Sequence, residues 1–223
     1  MTVLYVYGIS DSPNAPPVLG LRDAALSVSG RGGLFAVWSE QEDSPFDADE
    51  TALWEHERVV EALLEQGTVL PMRFGSSVPD REALAELLAE RRADFELGLE
   101  RVRGAVEIGV RALIRGESSQ LAPALAGADR PGTAYMLARL NDEKRSAAIA
   151  AHIHEPLIAL SRASASRKTS LSGDVNTAYL VAREDVGPFR ATVEKLDDAV
   201  EYATIVCTGP WPPYSFTPGE STR

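Results

Sequence analysis

Hydrophobic positions in this 223-residue chain fall into short runs, some with a period near two and others with a helical period. Val3 to Ile9 is an apolar and aromatic run closed by the turn-rich segment Ser10 to Pro17, and it predicts a strand. Ala24–Val28 and Leu34–Trp38 flank Ser29-Gly30-Arg31-Gly32-Gly33, whose glycines permit a tight turn, so they predict a hairpin. Asp49 is placed to cap a helix running to Gln66 and ended by Gly67, with Leu53, Val59, Val60, Leu63 and Leu64 as its apolar stripe. Thr68 to Phe74 follows as a strand that Pro71 restricts to a sheet edge or a bulge. Pro79-Asp80 opens a helix reaching Arg103, with Leu84, Leu88, Phe95, Leu99 and Val102 on its buried side. Gly104 breaks it. Val106, Ile108, Val110 and Ala112 then alternate with Glu107, Gly109 and Arg111 as a half-buried strand.

Glu117 to Asp129 reads as a loose linker, and a long helix is expected from Pro131 through Ala151, kinked or split at Pro156. Ser161 to Ser172 is polar and expected to be mobile at its end. Val175 to Val181 predicts a strand, and Val186 to Tyr202 a helix turning Phe189, Val193 and Leu196 inward. Tyr202 to Cys207 carries no charge and is rich in β-branched and aromatic residues, the pattern of a strand buried on both faces and ended by Gly209-Pro210. Beyond it, Pro210, Pro212 and Pro213 hold Trp211, Tyr214 and Phe216 on a stiff path. Such a path loses little entropy on docking, so it either seals a core or offers a contact surface. Helix 49–66 leads into a strand that meets proline, and so does helix 186–200. This echo predicts an α+β protein in two halves, each a small sheet covered by helices on one face.

Composition narrows the class. A chain of this length buries about 70% of its unfolded surface without any staple, and 44% hydrophobic with 25% charged residues is the balance of a soluble globular protein. The net charge of −11 argues against nucleic acid and anionic membranes as partners, since both reward basic patches. The same charge would keep the protein soluble while it handles something sticky. Cys207 is the single cysteine, so no internal disulfide is available, and an inert thiol in a reducing cytoplasm is expected. Met1 to Ile9 lacks a basic leader, and no apolar run approaches the roughly 20 residues of a membrane span.

The chain offers little recognisable chemistry. His56-Glu57-Arg58-Val59-Val60 begins like a zinc-protease helix, but Val60 stands where the second histidine belongs, so His56 is expected on a helix flank. His152 and His154 are two apart and diverge on a helix, which does not suit a shared metal. Arg167-Lys168-Thr169-Ser170 lacks the glycines of a phosphate loop, and Gly30-Arg31-Gly32-Gly33 lacks dinucleotide spacing. No catalytic residue, cofactor site or metal site is assigned. Arg73 stands out as the polar residue interrupting a nearly apolar strand, either paired or facing solvent, or part of an edge that docks another protein.

Three segments together resemble a known family: Leu70-Pro71-Met72-Arg73-Phe74-Gly75, Val106-Glu107-Ile108-Gly109-Val110-Arg111, and the closing Thr208-Gly209-Pro210-Trp211-Pro212-Pro213-Tyr214-Ser215-Phe216. They are similar to the gas vesicle accessory proteins GvpF and GvpL, and the similarity runs from about Leu4 to Phe216, nearly the whole chain. The resemblance implies a modified ferredoxin-like amino-terminal domain over 1–103 and an α+β domain with long helices over 104–216, followed by a flexible tail at 217–223. The linker at 117–130 is the alternative boundary. It further implies a noncatalytic protein of the cytoplasm and the gas vesicle that binds the hydrophobic shell protein GvpA and other accessory Gvp proteins. A small-ligand or enzymatic ferredoxin-like module is the competing expectation. Leu70, Met72, Arg73, Phe74, Trp211, Tyr214 and Phe216 are the candidate protein-interface residues.

Overall fold

The computed structural model describes residues 2–42, 49–114, 136, 140, 150–168, 175–200 and 203–218. The expected linker at 117–129 and most of the expected long helix lie outside them. The described residues form an α+β protein with two sheets.

The first sheet contains β1 (Thr2–Ser10), β2 (Ser27–Arg31), β3 (Leu34–Glu42) and β4 (Val69–Pro71) in the order β2-β3-β1-β4, with β5 (Ser77–Val78) also paired to β1. The predicted β2–β3 hairpin turns at Gly32 and Gly33, whose φ angles of +61° and +89° suit the tight turn that matches strand twist. Because β3 and β4 are both antiparallel to β1, they run in one direction and are linked by α1 (Glu50–Gln66). This is a split β-α-β unit with β1 between its strands, the ferredoxin-like element.

Helices cover both faces of this sheet, where one covered face was expected. Tyr5 pairs with Ser39 and Val6 with Trp38, and successive strand residues point to opposite faces. Tyr5 meets His56 of α1, whereas Arg81, the first residue of α2 (Arg81–Glu90), lies 5.0 Å over the Trp38 ring. The signal was in β1 itself. It is apolar at consecutive positions, and Leu4 through Ser10 are all buried. α1 is capped as expected, Asp49 accepting from the Ala52 N–H at 2.8 Å, and Asp80 caps α2 in the same way through Ala83 N–H at 2.9 Å. The helix expected to run unbroken to Arg103 is interrupted at Arg91, whose φ of −99° and ψ of 17° separate α2 from α3 (Arg92–Val102).

The second sheet has the order β7-β8-β6-β9, formed by β6 (Ala105–Ile114), β7 (Ala163–Lys168), β8 (Val175–Ala182) and β9 (Ala203–Trp211). β6 alternates as its sequence predicts, with Val106, Ile108, Val110 and Ala112 buried. The polar segment Ser161 to Ser172 supplies β7, whose Ala-Ser-Ala-Ser pattern pairs antiparallel with Thr177–Leu180, while its end at 169–172, expected to be mobile, lies outside the described residues. The helical run over 150–158 carries Pro156 in its closing turn and ends two residues later, so the proline terminates rather than splits it. α4 (Val186–Ala199) buries Phe189 and Val193 and leaves Leu196 half-buried.

β9 departs most from expectation. It is an edge strand with only Ala203 and Ile205 buried, and it runs through the cis Gly209–Pro210 peptide to Trp211 instead of stopping at Gly209. A charge-free β-branched run marks a strand but does not say how many neighbours it has. By contacts the chain divides into two compact units, Met1–Glu107 with Trp211–Arg223 and Ile108–Pro210. Residues 211–216 therefore group with the amino-terminal unit and not with the rest of 104–216.

Candidate functional site

Two of the three family-like segments, Leu70–Gly75 and Thr208–Phe216, send residues into one hydrogen-bonded cluster of the first unit. Its centre is His56, 1% exposed, on the inner face of α1. His56 Nε2 lies 3.1 Å from the Met72 carbonyl and 3.2 Å from Tyr214 Oη, while Nδ1 lies 2.9 Å from Tyr5 Oη. A carbonyl only accepts, so Nε2 carries the proton and Nδ1 accepts from the Tyr5 hydroxyl. Tyr5 Oη in turn accepts from the Gly75 N–H at 3.0 Å, and Tyr214 Oη donates to Glu57 Oε1 at 2.8 Å. The proton direction is thus fixed from the Gly75 turn to the Glu57 carboxylate.

Aromatic packing closes the cage. The rings of Tyr5, Tyr7 and Phe74 all lie within 6 Å of the imidazole, with centroids 5.7, 5.7 and 5.8 Å away. Burial lowers the His56 pKa to about 4, only partly opposed by the hydrogen bond to Met72, so the ring is neutral at pH 7. Burial raises the hydroxyl pKa values of Tyr5 and Tyr214, and raises that of Glu57 against the pull of its Tyr214 hydrogen bond. A neutral histidine whose protons and lone pairs are all committed is a structural pin.

The segment after β9 acts as a strap over this cage. Ser215 donates from its N–H and its Oγ to the two carboxylate oxygens of Glu107, at 2.8 and 2.9 Å. Phe216, 2% exposed, packs with the Arg101 guanidinium 5.5 Å from its ring. Thr217 Oγ1 donates to the Tyr214 carbonyl and Arg91 donates to the Pro218 carbonyl at 3.1 Å, so both residues placed in the expected tail are held.

The seven candidate interface residues therefore have different situations. Leu70 and Phe216 are buried, which removes them as exposed contacts. Met72, Phe74 and Tyr214 are half-buried around the cage. Arg73 is exposed on the turn that follows β4, closed by the Ser76 N–H to the Arg73 carbonyl. Trp211 is 43% exposed. A hollow of about 240 Å³ beside β4 is lined by Met72, Arg73, Arg91, Phe95 and Pro218 among others, below the roughly 300 Å³ where small-molecule sites begin.

His56 is the residue that sequence reasoning misplaced, because it treated it as a failed metal ligand on a helix flank. The available signal was helical spacing: His56 falls four residues before Val60 and seven before Leu63, on the buried stripe. His154, half-buried in the second unit, pairs through Nδ1 with Tyr179 Oη at 2.9 Å, and burial pushes that tyrosine up to about 12. Cys207 is half-buried, and burial raises its thiol pKa. Among the described residues, no three His, Cys, Asp or Glu side chains gather as a metal site would need, and no helix is long and apolar enough to cross a membrane.

Comparison with known proteins places this arrangement. The family described as "Gas vesicle synthesis protein GvpL/GvpF" matches residues 3–218. Gas vesicle protein F2 of Halobacterium salinarum is 30% identical over 96% of this chain and 91% of its own length. Gas vesicle protein F of a Streptomyces species is 31% identical over 95% of this chain and 98% of its own. In fold, the chain is similar to the crystal structure of GvpF from Anabaena, with a TM-score of 0.83 over 97% of this chain and 98% of that one at 22% identity. The chain belongs to the GvpL/GvpF family of gas vesicle synthesis proteins.

Proposed function

We propose that this protein is a noncatalytic accessory or minor structural component of gas vesicle assembly in the cytoplasm, which binds the hydrophobic shell protein GvpA and other accessory Gvp proteins and limits shell-protein aggregation. The observation that carries this reading is the family match from residue 3 to residue 218, across both compact units. The physical logic is that a shell subunit with a large apolar face aggregates unless something covers it. A chain of net charge −11 stays soluble while doing so.

At the anticipated contact segments, side-chain docking suits this protein better than strand addition. The outer edge of β9 is occupied by its own helix, since Asp197 accepts from the Ile205 N–H at 2.7 Å and Arg190 donates to the Gly209 carbonyl. Residues 205 and 209 share a strand edge by their even spacing, so the two contacts block one side. β4, an edge strand of the first sheet, is three residues long and ends in Pro71, which has no N–H to give. Of the anticipated contact residues, Arg73 and Trp211 remain the exposed ones, with Met72 partly accessible.

The experiment is a pull-down with purified GvpA alongside an aggregation assay. Capture of GvpA and a slower rise in its light scattering are expected. Failure of both, under conditions where a related accessory protein succeeds, removes the proposal.

A further inference from the structure

The outer face of α1 carries an apolar shelf that the described residues leave exposed. Leu53 is 42% exposed and Trp54 65% exposed, and between them lies a shallow hollow of about 290 Å³ lined by Glu50, Leu53, Trp54 and Glu57. Leu53 reads in sequence as part of the buried stripe, yet α1 buries His56, Val59, Val60, Leu63 and Leu64 and turns Leu53 out. Two large apolar side chains adjoining on a solvent-facing helix are a contact patch in waiting.

Charge says what suits it. α1 contains five glutamates, Glu50, Glu55, Glu57, Glu61 and Glu65, and a single basic residue, Arg58. Arg58 is turned to the Leu19 carbonyl at 3.1 Å, and Glu55 accepts from the Arg22 N–H at 2.9 Å. Glu50, Trp54, Glu57 and Glu61 are spaced four, three and four residues apart, so they form one stripe along the helix with Leu53 beside it. Trp54 Nε1 lies 3.4 Å from Glu50 Oε1, which sets the exposed indole beside a carboxylate. An indole face and a row of carboxylates both attract ammonium and guanidinium groups. A second copy of this chain would bring five more glutamates against the first five, and an anionic membrane would be repelled in the same way.

We propose that this face of α1 docks an amphipathic helix of a partner protein, whose apolar stripe sits on Leu53 and Trp54 and whose flanking lysines or arginines meet Glu50, Glu57 and Glu61. The shelf from Glu50 to Glu61 is roughly 16 Å long at the rise of a helix, which is three turns, the length over which one helix packs into the grooves of another. Glu57 links the surface to the interior, because the carboxylate facing the partner is the one that accepts from Tyr214. The assignment rests on the accessory-protein role proposed above, and specifies the chemistry of one partner surface.

The test uses the full chain and two synthetic helical peptides with the same leucine stripe, one flanked by lysines and one by glutamates. Wild type is expected to bind the lysine peptide, with affinity falling as salt rises and with a blue shift of tryptophan emission that Trp54→Phe abolishes. Leu53→Ser/Trp54→Ser should weaken it about tenfold or more, and Glu50→Gln/Glu61→Gln should flatten the salt dependence. Both variants alter exposed side chains, so their melting temperatures serve as the folding control. Equal binding of the two peptides, no binding of either, or an undiminished Leu53→Ser/Trp54→Ser variant overturns the assignment. The same double variant is then offered GvpA. Capture equal to wild type sinks this surface and leaves the accessory role standing, whereas no capture by wild type sinks the role itself.

Discussion

Tyr214 Oη donates to Glu57 Oε1 at 2.8 Å across 157 positions of sequence, tying the end of the described chain to the helix that carries His56. The bond directs the tyrosine proton outward, leaving the oxygen lone pairs for His56 Nε2. Tyr214→Phe keeps the ring and removes the hydroxyl, so a half-buried carboxylate and a buried imidazole each lose a partner. The expected cost is about 1–3 kcal/mol, at about 2–4 °C of melting temperature per kcal/mol for a chain of this size. Trp211→Ala, on a residue 43% exposed, is expected to cost no more than about 1 kcal/mol. Thermal melts of the two variants check the order. A larger loss for Trp211→Ala would mean that the strap is held by Trp211 and not by the cage.

Acid should loosen this protein through His56. An unfolded imidazole takes its proton near 6.5, and the folded one only near 4, so the unfolded state holds more protons between those values. Stability is full above pH 6.5 and declines toward pH 4, by on the order of 3 kcal/mol. Glu57 works the other way. Its raised folded pKa adds stability below the unfolded value of 4.5, and that is lost as pH rises through the folded pKa, which offsets part of the decline. Urea midpoints measured from pH 7 to pH 4 should fall more steeply for wild type than for His56→Gln. Parallel curves would show that the acid sensitivity lies elsewhere.

Much of this was legible in the chain, for reasons that differ by residue. Asp49 could be assigned as a cap and Pro79-Asp80 as a helix start because such signals are local, and β6 because alternation is local too. What was illegible depended on partners distant in sequence. Nothing near His56 announces Tyr5, Met72 and Tyr214: helical spacing can put the histidine on the buried stripe but cannot name its partners. β9 read as buried on both faces because apolar content reports strand propensity, while its edge position and the exposure of its outer residues are set by topology. Tyr214 and Phe216 were singled out with Trp211 as one aromatic group, yet the strap buries Phe216, half-buries Tyr214 and leaves Trp211 open. Proline stiffness predicted a path and not which side of it faces inward.

The strap should be releasable by weakening one carboxylate. Glu107 accepts from both the N–H and the Oγ of Ser215. Ser215→Ala removes one of these bonds and should cost about 1 kcal/mol, whereas Glu107→Ala leaves both donors to find water. Local opening of a chain end raises its cleavage before the global fold is lost. Limited proteolysis followed by intact mass is expected to trim Glu107→Ala after Trp211 sooner than Ser215→Ala, and both sooner than wild type. Identical trimming of all three would mean that Phe216 and the Tyr214 bonds hold the strap without help.

Gly98 on α3 decides between two opposed effects. Alanine in place of a glycine inside a helix ordinarily gains up to about 1 kcal/mol. Here the added Cβ would stand 2.7 and 2.8 Å from Cγ and Cδ of Pro218 and 3.0 Å from Cδ1 of Leu70. A proline ring has no rotamer through which to withdraw, and its carbonyl is held by Arg91, so the strap must shift as a body. Overpacking of that kind costs about 1–3 kcal/mol, which exceeds the propensity gain. Gly98→Ala should therefore lower the melting temperature, and Gly98→Ala/Pro218→Ala should recover most of the loss, because the second change deletes the two ring atoms in the way. A double-mutant cycle gives the coupling directly. A more stable Gly98→Ala, or additivity in the double variant, would show that Pro218 does not rest against α3.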